Sequence, residues 1–176
     1  RLMAEYLGCE FLDAAEWVKF KLDGTVDTDA SYEALRRAAG ERRVVIPGFY
    51  GVMPDGRIRT FSRGGSDITG ALAAAALDAD VYENWTDVSG ILMADPRIIE
   101  NPAPIRHLTY GELRELSYIG AQVLHEGTIF PVHEKNIPLN IRNTNEPDHP
   151  GTTILESIKE DANDGSFITG IAGKKG

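Results

Sequence analysis

The chain has 176 residues, 42% hydrophobic and 26% charged, which suits one globular domain, or most of one, with a sizeable core. Its net charge of −9 argues against nucleic acid as a main partner, because phosphate backbones require clustered cations. The single cysteine, Cys9, excludes an internal disulfide framework and reads as a buried apolar residue, while no stretch is long and apolar enough to cross a membrane.

No signal peptide is visible, so a cytoplasmic location is expected, and a first residue Arg1 rather than Met suggests a fragment or processed chain. In chain order, residues 1–8 read as the end of a helix and Phe11 to Ala14 as a short strand. Thr28 or Asp29 is placed to cap a helix over Tyr32 to Ala39. The run from Arg43 through Val44, Val45 and Ile46 reads as a buried strand stopped by Pro47 and Gly48. Asp55 and Gly56 signal a hairpin between short strands. A helix over 67–79 is followed by a strand from Val81 to Thr86. Helices are expected over Glu112 to Val123 and Thr128 to Lys135, and strands over Ile137 to Arg142 and Thr152 to Ile154. Strands spaced by helices predict an α/β domain with a largely parallel sheet, whose ligands gather at the carboxyl ends of strands. Trp17 and Trp85 read as core residues.

The segment Phe61-Ser-Arg-Gly-Gly-Ser-Asp-Ile-Thr-Gly70 carries the most chemistry. Adjacent glycines let a backbone turn sharply and approach a ligand, and Ser66 or Asp67 can cap the helix that follows. The N–H groups of a first turn point out of the helix end with about half a positive charge, and Arg63 adds a planar cationic fork. The segment therefore fits an anion; it equally fits an ordinary glycine turn before a capped helix. The following Ala71-Leu-Ala-Ala-Ala-Ala-Leu77 has almost no polar face, so this helix is expected to be buried on more than one side. Residues 36–63 hold seven arginines against Glu41 and Asp55, a local positive region suited to a small anion, although Arg36 and Arg37 read as a solvated helix face.

A second cluster, Trp85-Thr-Asp-Val-Ser-Gly90 with Asp95-Pro-Arg97 beyond it, lies where a strand ends. Thr86 and Asp87 can reach a nucleotide's ribose or base, and Arg97 its phosphates; turn-forming acids and a structural ion pair explain the same residues. No P-loop motif and no nucleophile elbow are present. His107, His125, His133 and His149 lack metal-ligand spacing, and His125 reads as satisfying buried groups near the end of helix 112–123.

Taken together, Ser62-Arg-Gly-Gly-Ser-Asp-Ile-Thr69, Trp85-Thr-Asp-Val-Ser-Gly90, Ala94-Asp-Pro-Arg97, Glu115-Leu-Ser-Tyr-Ile-Gly-Ala-Gln-Val-Leu-His125 and Ile137-Pro-Leu-Asn-Ile-Arg-Asn-Thr144 resemble the aspartokinase family in order and spacing, over essentially the whole chain. That family lies in the amino acid kinase superfamily. The resemblance implies a three-layer α/β/α sandwich with a mostly parallel sheet. It also implies transfer of phosphate from Mg-ATP to the side-chain carboxylate of L-aspartate, the first step toward lysine, threonine and methionine.

The resemblance assigns substrate contacts to Arg63 and Ser66, with Gly64 and Gly65 between them, and places Phe49 along the same pocket. Asp67 matches the family's active-site aspartate; the attacking carboxylate is already ionised, so orienting a lysine or Mg²⁺ suits it better than base catalysis. Thr86, Asp87, Leu92, Arg97, Gln122 and Val123 match ATP contacts, with Gln122 where the family has lysine and Leu92 where tyrosine is common. Backbone donors, arginine and Mg²⁺ are an adequate inventory for phosphoryl transfer.

The resemblance further implies that residues 1–155 are the carboxyl-side part of the catalytic domain and that 156–176 are a linker and the start of a regulatory ACT strand. The family's lysine loop and Gly-Glu pair would then precede Arg1, leaving the chain inactive by itself. A homodimer and an amino-acid effector at ACT domains are the implied partners. Two other readings stand beside it: another superfamily member, of glutamate or carbamate type, and a non-catalytic nucleotide-binding or regulatory fragment.

Overall fold

In the computed structural model, which describes residues 1–96, 98–118, 124, 126–158 and 169–170, the chain divides into two units, Arg1–Ala79 and Asp80–Gly176. In the first, α1 (Leu2–Leu7) ends at Gly8 in the left-handed region (φ 61) and leads into β1 (Glu10–Phe11). The strand expected over residues 11–14 stops early because Asp13 starts a helix. Its carboxylate accepts from the Ala15 N–H at 3.0 Å, while Glu16 accepts from the Asp13 N–H at 3.3 Å. This reciprocal capping box opens α2 (Ala14–Trp17). α3 (Thr28–Ala39) is capped by Asp27, which accepts from Ala30 N–H at 3.2 Å, not by Thr28 or Asp29, since both are already helical.

β1 pairs in parallel with β2 (Val44–Val45). β3 (Tyr50–Val52) and β4 (Ile58–Thr60) form the hairpin expected around Asp55 and Gly56. α4 (Gly65–Ala76) packs on α3, and its alanines, with Leu72, are mostly buried as its sequence demands. The core of this unit gathers Trp17, Val18, Phe20, Leu35, Phe61 and Leu72. Two expectations change, one of a buried residue and one of a surface residue. Cys9 is half-buried, with its thiol 3.7 Å from the Leu7 carbonyl. Arg36 is not merely solvated: its Nε donates to the Ala76 carbonyl at 2.6 Å, satisfying an orphan acceptor at the end of α4, and it pairs with Asp78. Arg37 is exposed, as expected, and pairs with Glu33 one turn away.

The second unit is built on a four-stranded sheet of β5 (Tyr82–Thr86), β9 (Leu139–Asn143), β10 (Thr152–Leu155) and β8 (His107–Thr109), in that spatial order. β5 runs parallel to β9 and β8 to β10, while β9 and β10 are antiparallel. A hairpin of two-residue strands, β6 (Ile91–Leu92) and β7 (Pro104–Ile105), lies between β5 and β8 in the sequence; neither it nor β8 is expected from hydrophobic period.

α5 (Tyr110–Tyr118) begins before Glu112 because Thr109 and Glu112 form another capping box. Thr109 N–H donates to Glu112 Oε2 at 2.8 Å, and Glu112 N–H donates to Thr109 Oγ1 at 3.1 Å. α5 packs on β8, β10 and α6 (Glu126–Glu134). Leu108, Leu139, Ile141 and Ile154 are fully buried in the sheet. Trp85 is not core: it is 43% exposed, its indole N–H donates to Glu83 at 3.1 Å, and the Arg142 guanidinium lies 4.7 Å from its ring centre. The boundary expected at 155/156 falls beside residues 159–168 and 171–176, which lie outside the described ones, as does His125.

Candidate active site

In the first unit the site is organised by the turn that begins α4. Gly64 takes the left-handed conformation (φ 58) and is itself the N-cap, and no side chain caps the helix. Ser66 and Asp67 therefore sit inside the first turn and do not cap it, which corrects the sequence expectation. The first N–H groups of a helix have no intrahelical acceptor, and Gly65 and Ser66 carry two of them at this helix end. Gly65 is fixed by crowding: a Cβ there would lie 2.9 Å from the Phe49 Cα and 3.0 Å from the Phe61 Cβ.

Phe49 is unusual in two respects. Its backbone is left-handed (φ 86), which costs a residue with a side chain about 1–2 kcal/mol, and the residue is 48% exposed. Two hydrogen bonds secure this conformation. The Phe49 carbonyl accepts from Phe61 N–H at 2.9 Å, and the Phe49 N–H donates to Thr69 Oγ1 at 3.1 Å. Thr69 is buried, and its hydroxyl donates to the Gly65 carbonyl at 2.6 Å. Phe49, Gly65 and Thr69 thus form one clasp. The sequence reading missed Thr69; its position four residues after Gly65, one helical turn, was the available signal.

The positive region resolves into employed and available cations. Arg36, Arg37, Arg42 and Arg57 form ion pairs, and Arg59 lies 5.7 Å from the Phe20 ring centre. Arg43 and Arg63 are exposed, and among the described residues no ion pair or side-chain hydrogen bond occupies either; of the two, Arg63 directly precedes the glycine turn that opens α4. Ser66 is exposed too, whereas Asp67 is half-buried and has a polar partner. A guanidinium beside an uncapped helix N-terminus is an arrangement that binds carboxylate or phosphate.

In the second unit the candidate residues stand at the carboxyl ends of the parallel strands β5 and β9. The Thr86 carbonyl accepts from both the Thr144 N–H at 2.8 Å and the Thr144 hydroxyl at 3.0 Å. The Thr86 hydroxyl donates to Asp87, which is exposed, at 3.2 Å. Asn143 donates to Ser89 Oγ at 2.8 Å, and Ser89 donates to Glu146 at 2.6 Å. Gly90 (φ 95) lets this loop pass so close to Thr152 that a Cβ would lie 2.5 Å from its hydroxyl. Leu92 is on β6 and 38% exposed. Arg97, Gln122 and Val123 lie outside the described residues. Among the described residues no three His, Cys, Asp or Glu side chains gather as a metal site, and no helix is long and apolar enough to cross a membrane.

The chain belongs to the amino acid kinase family, whose pattern matches residues 3–143. Its relatives narrow the comparison. It is 44% identical to aspartokinase 3 of Bacillus subtilis over 147 residues, which cover 83% of this chain and 32% of that protein. The crystal structure of Clostridium acetobutylicum aspartate kinase superposes with a TM-score of 0.86 at 53% identity, covering 97% of this chain and 39% of that one. Aspartokinase III of E. coli, solved in complex with aspartate and ADP, superposes with a TM-score of 0.79 at 30% identity, covering 90% of this chain and 37% of that one. The chain thus spans about a third of the length of the aspartokinases it matches. The expected amino acid kinase fold, mixed α/β with a mostly parallel sheet, is the fold of this chain.

Proposed function

We propose that this chain supplies residues for both substrates of an aspartate kinase, the enzyme that transfers the ATP γ-phosphate to the side-chain carboxylate of L-aspartate. The observation that carries the reading is Arg63, exposed and unengaged among the described residues, beside the uncapped N-terminus of α4. Similarity to aspartokinases, one of them solved with aspartate and ADP, supports that choice of substrates. Arg63 and Ser66 hold the amino acid, Phe49 lines its pocket, and the left-handed Gly64 with Gly65 brings the backbone close. Asp67 orients a cationic group. In the second unit Thr86, Asp87, Leu92, Arg97, Gln122 and Val123 form the nucleotide contacts.

The aspartate carboxylate is ionised at neutral pH and needs no general base. Its oxygen forms a bond to the γ-phosphorus, the bond from that phosphorus to the β–γ bridging oxygen breaks, and ADP leaves with the electron pair. Were Mg²⁺ bound with the nucleotide, Asp67 would help to orient it and the ion would supply charge neutralisation at the phosphates. The product, 4-phospho-L-aspartate, feeds lysine, threonine and methionine synthesis in the cytoplasm. A homodimer answering to an amino-acid effector belongs to the same proposal for the intact protein.

The test is aspartate-dependent ADP formation by the intact protein that carries this chain, with the acyl phosphate trapped by hydroxylamine. Arg63→Ala should lower kcat/KM for aspartate about 100-fold, the loss expected when one partner of a charge-assisted pair is removed. Unchanged saturation by aspartate would overturn the role of Arg63, and turnover of glutamate or carbamate in preference to aspartate would overturn the substrate.

A further inference from the structure

We infer that Thr69 is a positioning residue for the acceptor amino acid, acting through Phe49; the inference rests on the acceptor-site reading above. A threonine hydroxyl has one proton to give and lone pairs to receive. Here the proton goes to the Gly65 carbonyl at 2.6 Å, and a lone pair takes the Phe49 N–H at 3.1 Å. One side chain therefore joins the first turn of α4, which bears Ser66 and Asp67, to the turn that bears Phe49. Thr69 is 4% exposed and cannot itself touch a substrate from that position. Its effect must pass through what it holds.

What it holds is strained. Phe49 adopts φ 86, which a phenylalanine leaves readily unless its surroundings prevent it. The Phe61 N–H holds its carbonyl at 2.9 Å, and the Thr69 hydroxyl holds its N–H. Without the hydroxyl, that N–H loses its acceptor and only one of the two ties remains. The backbone then relaxes toward negative φ in a fraction of molecules, and the ring leaves its place beside Gly65. Apparent affinity for the acceptor falls by the fraction of molecules lost, while the chemical step in a correctly occupied site is unchanged.

The experiment compares Thr69→Val, which keeps the branched shape and removes the hydroxyl, with Thr69→Ser, which keeps the hydroxyl, in the intact protein. Thr69→Ala replaces the valine variant if that one fails to fold. The KM for aspartate should rise about tenfold in Thr69→Val, with kcat and the KM for ATP moving by less than about twofold, and Thr69→Ser should behave as the unaltered protein. Leu72→Ala, at a buried position on the same helix, should lower the melting temperature and leave the aspartate KM alone. Amide exchange at Phe49 should accelerate in Thr69→Val only. An unchanged aspartate KM in Thr69→Val, or an equal rise in Leu72→Ala, would overturn the positioning role. Absence of any aspartate turnover by the unaltered protein would instead overturn the acceptor-site reading, and this role with it.

Discussion

The two units present their candidate residues by different means. In Arg1–Ala79 the governing constraint is space: Gly64 is left-handed, Gly65 has no room for a methyl group, and Phe49 is kept at φ 86 by hydrogen bonds on both sides. In Asp80–Gly176 the governing constraint is strand register. Pairing of Trp85 with Arg142 and of Thr86 with Asn143 brings the ends of β5 and β9 level, and short polar side chains tie the loops beyond them. Crowded backbone makes a rigid presentation that tolerates almost no substitution. Polar ties between strand ends are individually weaker, each worth about 0.5–1.5 kcal/mol, and are replaceable one at a time.

That contrast can be broken by substitution, and the largest effect is expected where the second unit also relies on space. At Gly151 (φ 69) a Cβ would lie 1.8 Å from the Ile141 carbonyl oxygen, between two central strands. Gly151→Ala should cost about 3 kcal/mol or more, because neither backbone can move without breaking the ladder. The urea midpoint checks this; a loss below about 1 kcal/mol would show that the β9–β10 turn has room to shift.

Gly65→Ala comes next, at about 1–3 kcal/mol, since the inserted methyl group meets the Phe49 Cα and the Phe61 Cβ. The same denaturation measurement applies. Equal stability would mean that the turn at Phe49 is not crowded, and the contrast between the units would fail.

The smallest effect sharpens the comparison through pH. Asp13 has its carboxyl held below the usual range, first by the Ala15 N–H and then by the Tyr50 hydroxyl, which donates at 2.8 Å. The folded state thus binds this proton more weakly than the unfolded chain does. The resulting stability is complete above the ordinary carboxylate range and is lost as pH falls through the lowered value. Tyr50→Phe should lower the neutral plateau slightly and so flatten the acid limb below about pH 4, the two stability curves converging where Asp13 is protonated. Superimposable acid limbs would remove Tyr50 from the account.

Much of this was legible in the sequence, and the exceptions have physical causes. α4 was plain from its alanine run, since a helix without a polar face has to be buried. Its cap was misread because Gly64 can occupy a left-handed position that serine and aspartate adopt less readily, which moves Ser66 and Asp67 into the helix. α2 was hidden under a short apolar run, although Asp13 and Glu16 carried the spacing of a capping box. β6, β7 and β8 are two or three residues long, too short for any period to declare itself. Trp85 was read as core because its sequence neighbours look like a strand. The arginine that covers it lies 57 positions away, and only strand pairing brings the two together. Arg63 was legible as an anion-binding cation, but its availability was not, because that depends on which of the other arginines find acids.

The placement of the two tryptophans gives the molecule a built-in optical label for each half. Trp17 is wholly enclosed in the first unit, and Trp85 is 43% exposed in the second, stacked against a guanidinium. With no third indole in the chain, the emission spectrum is a sum of one shielded and one water-facing fluorophore. A soluble quencher reaches the second and spares the first, so melting of either half can be followed without adding a dye.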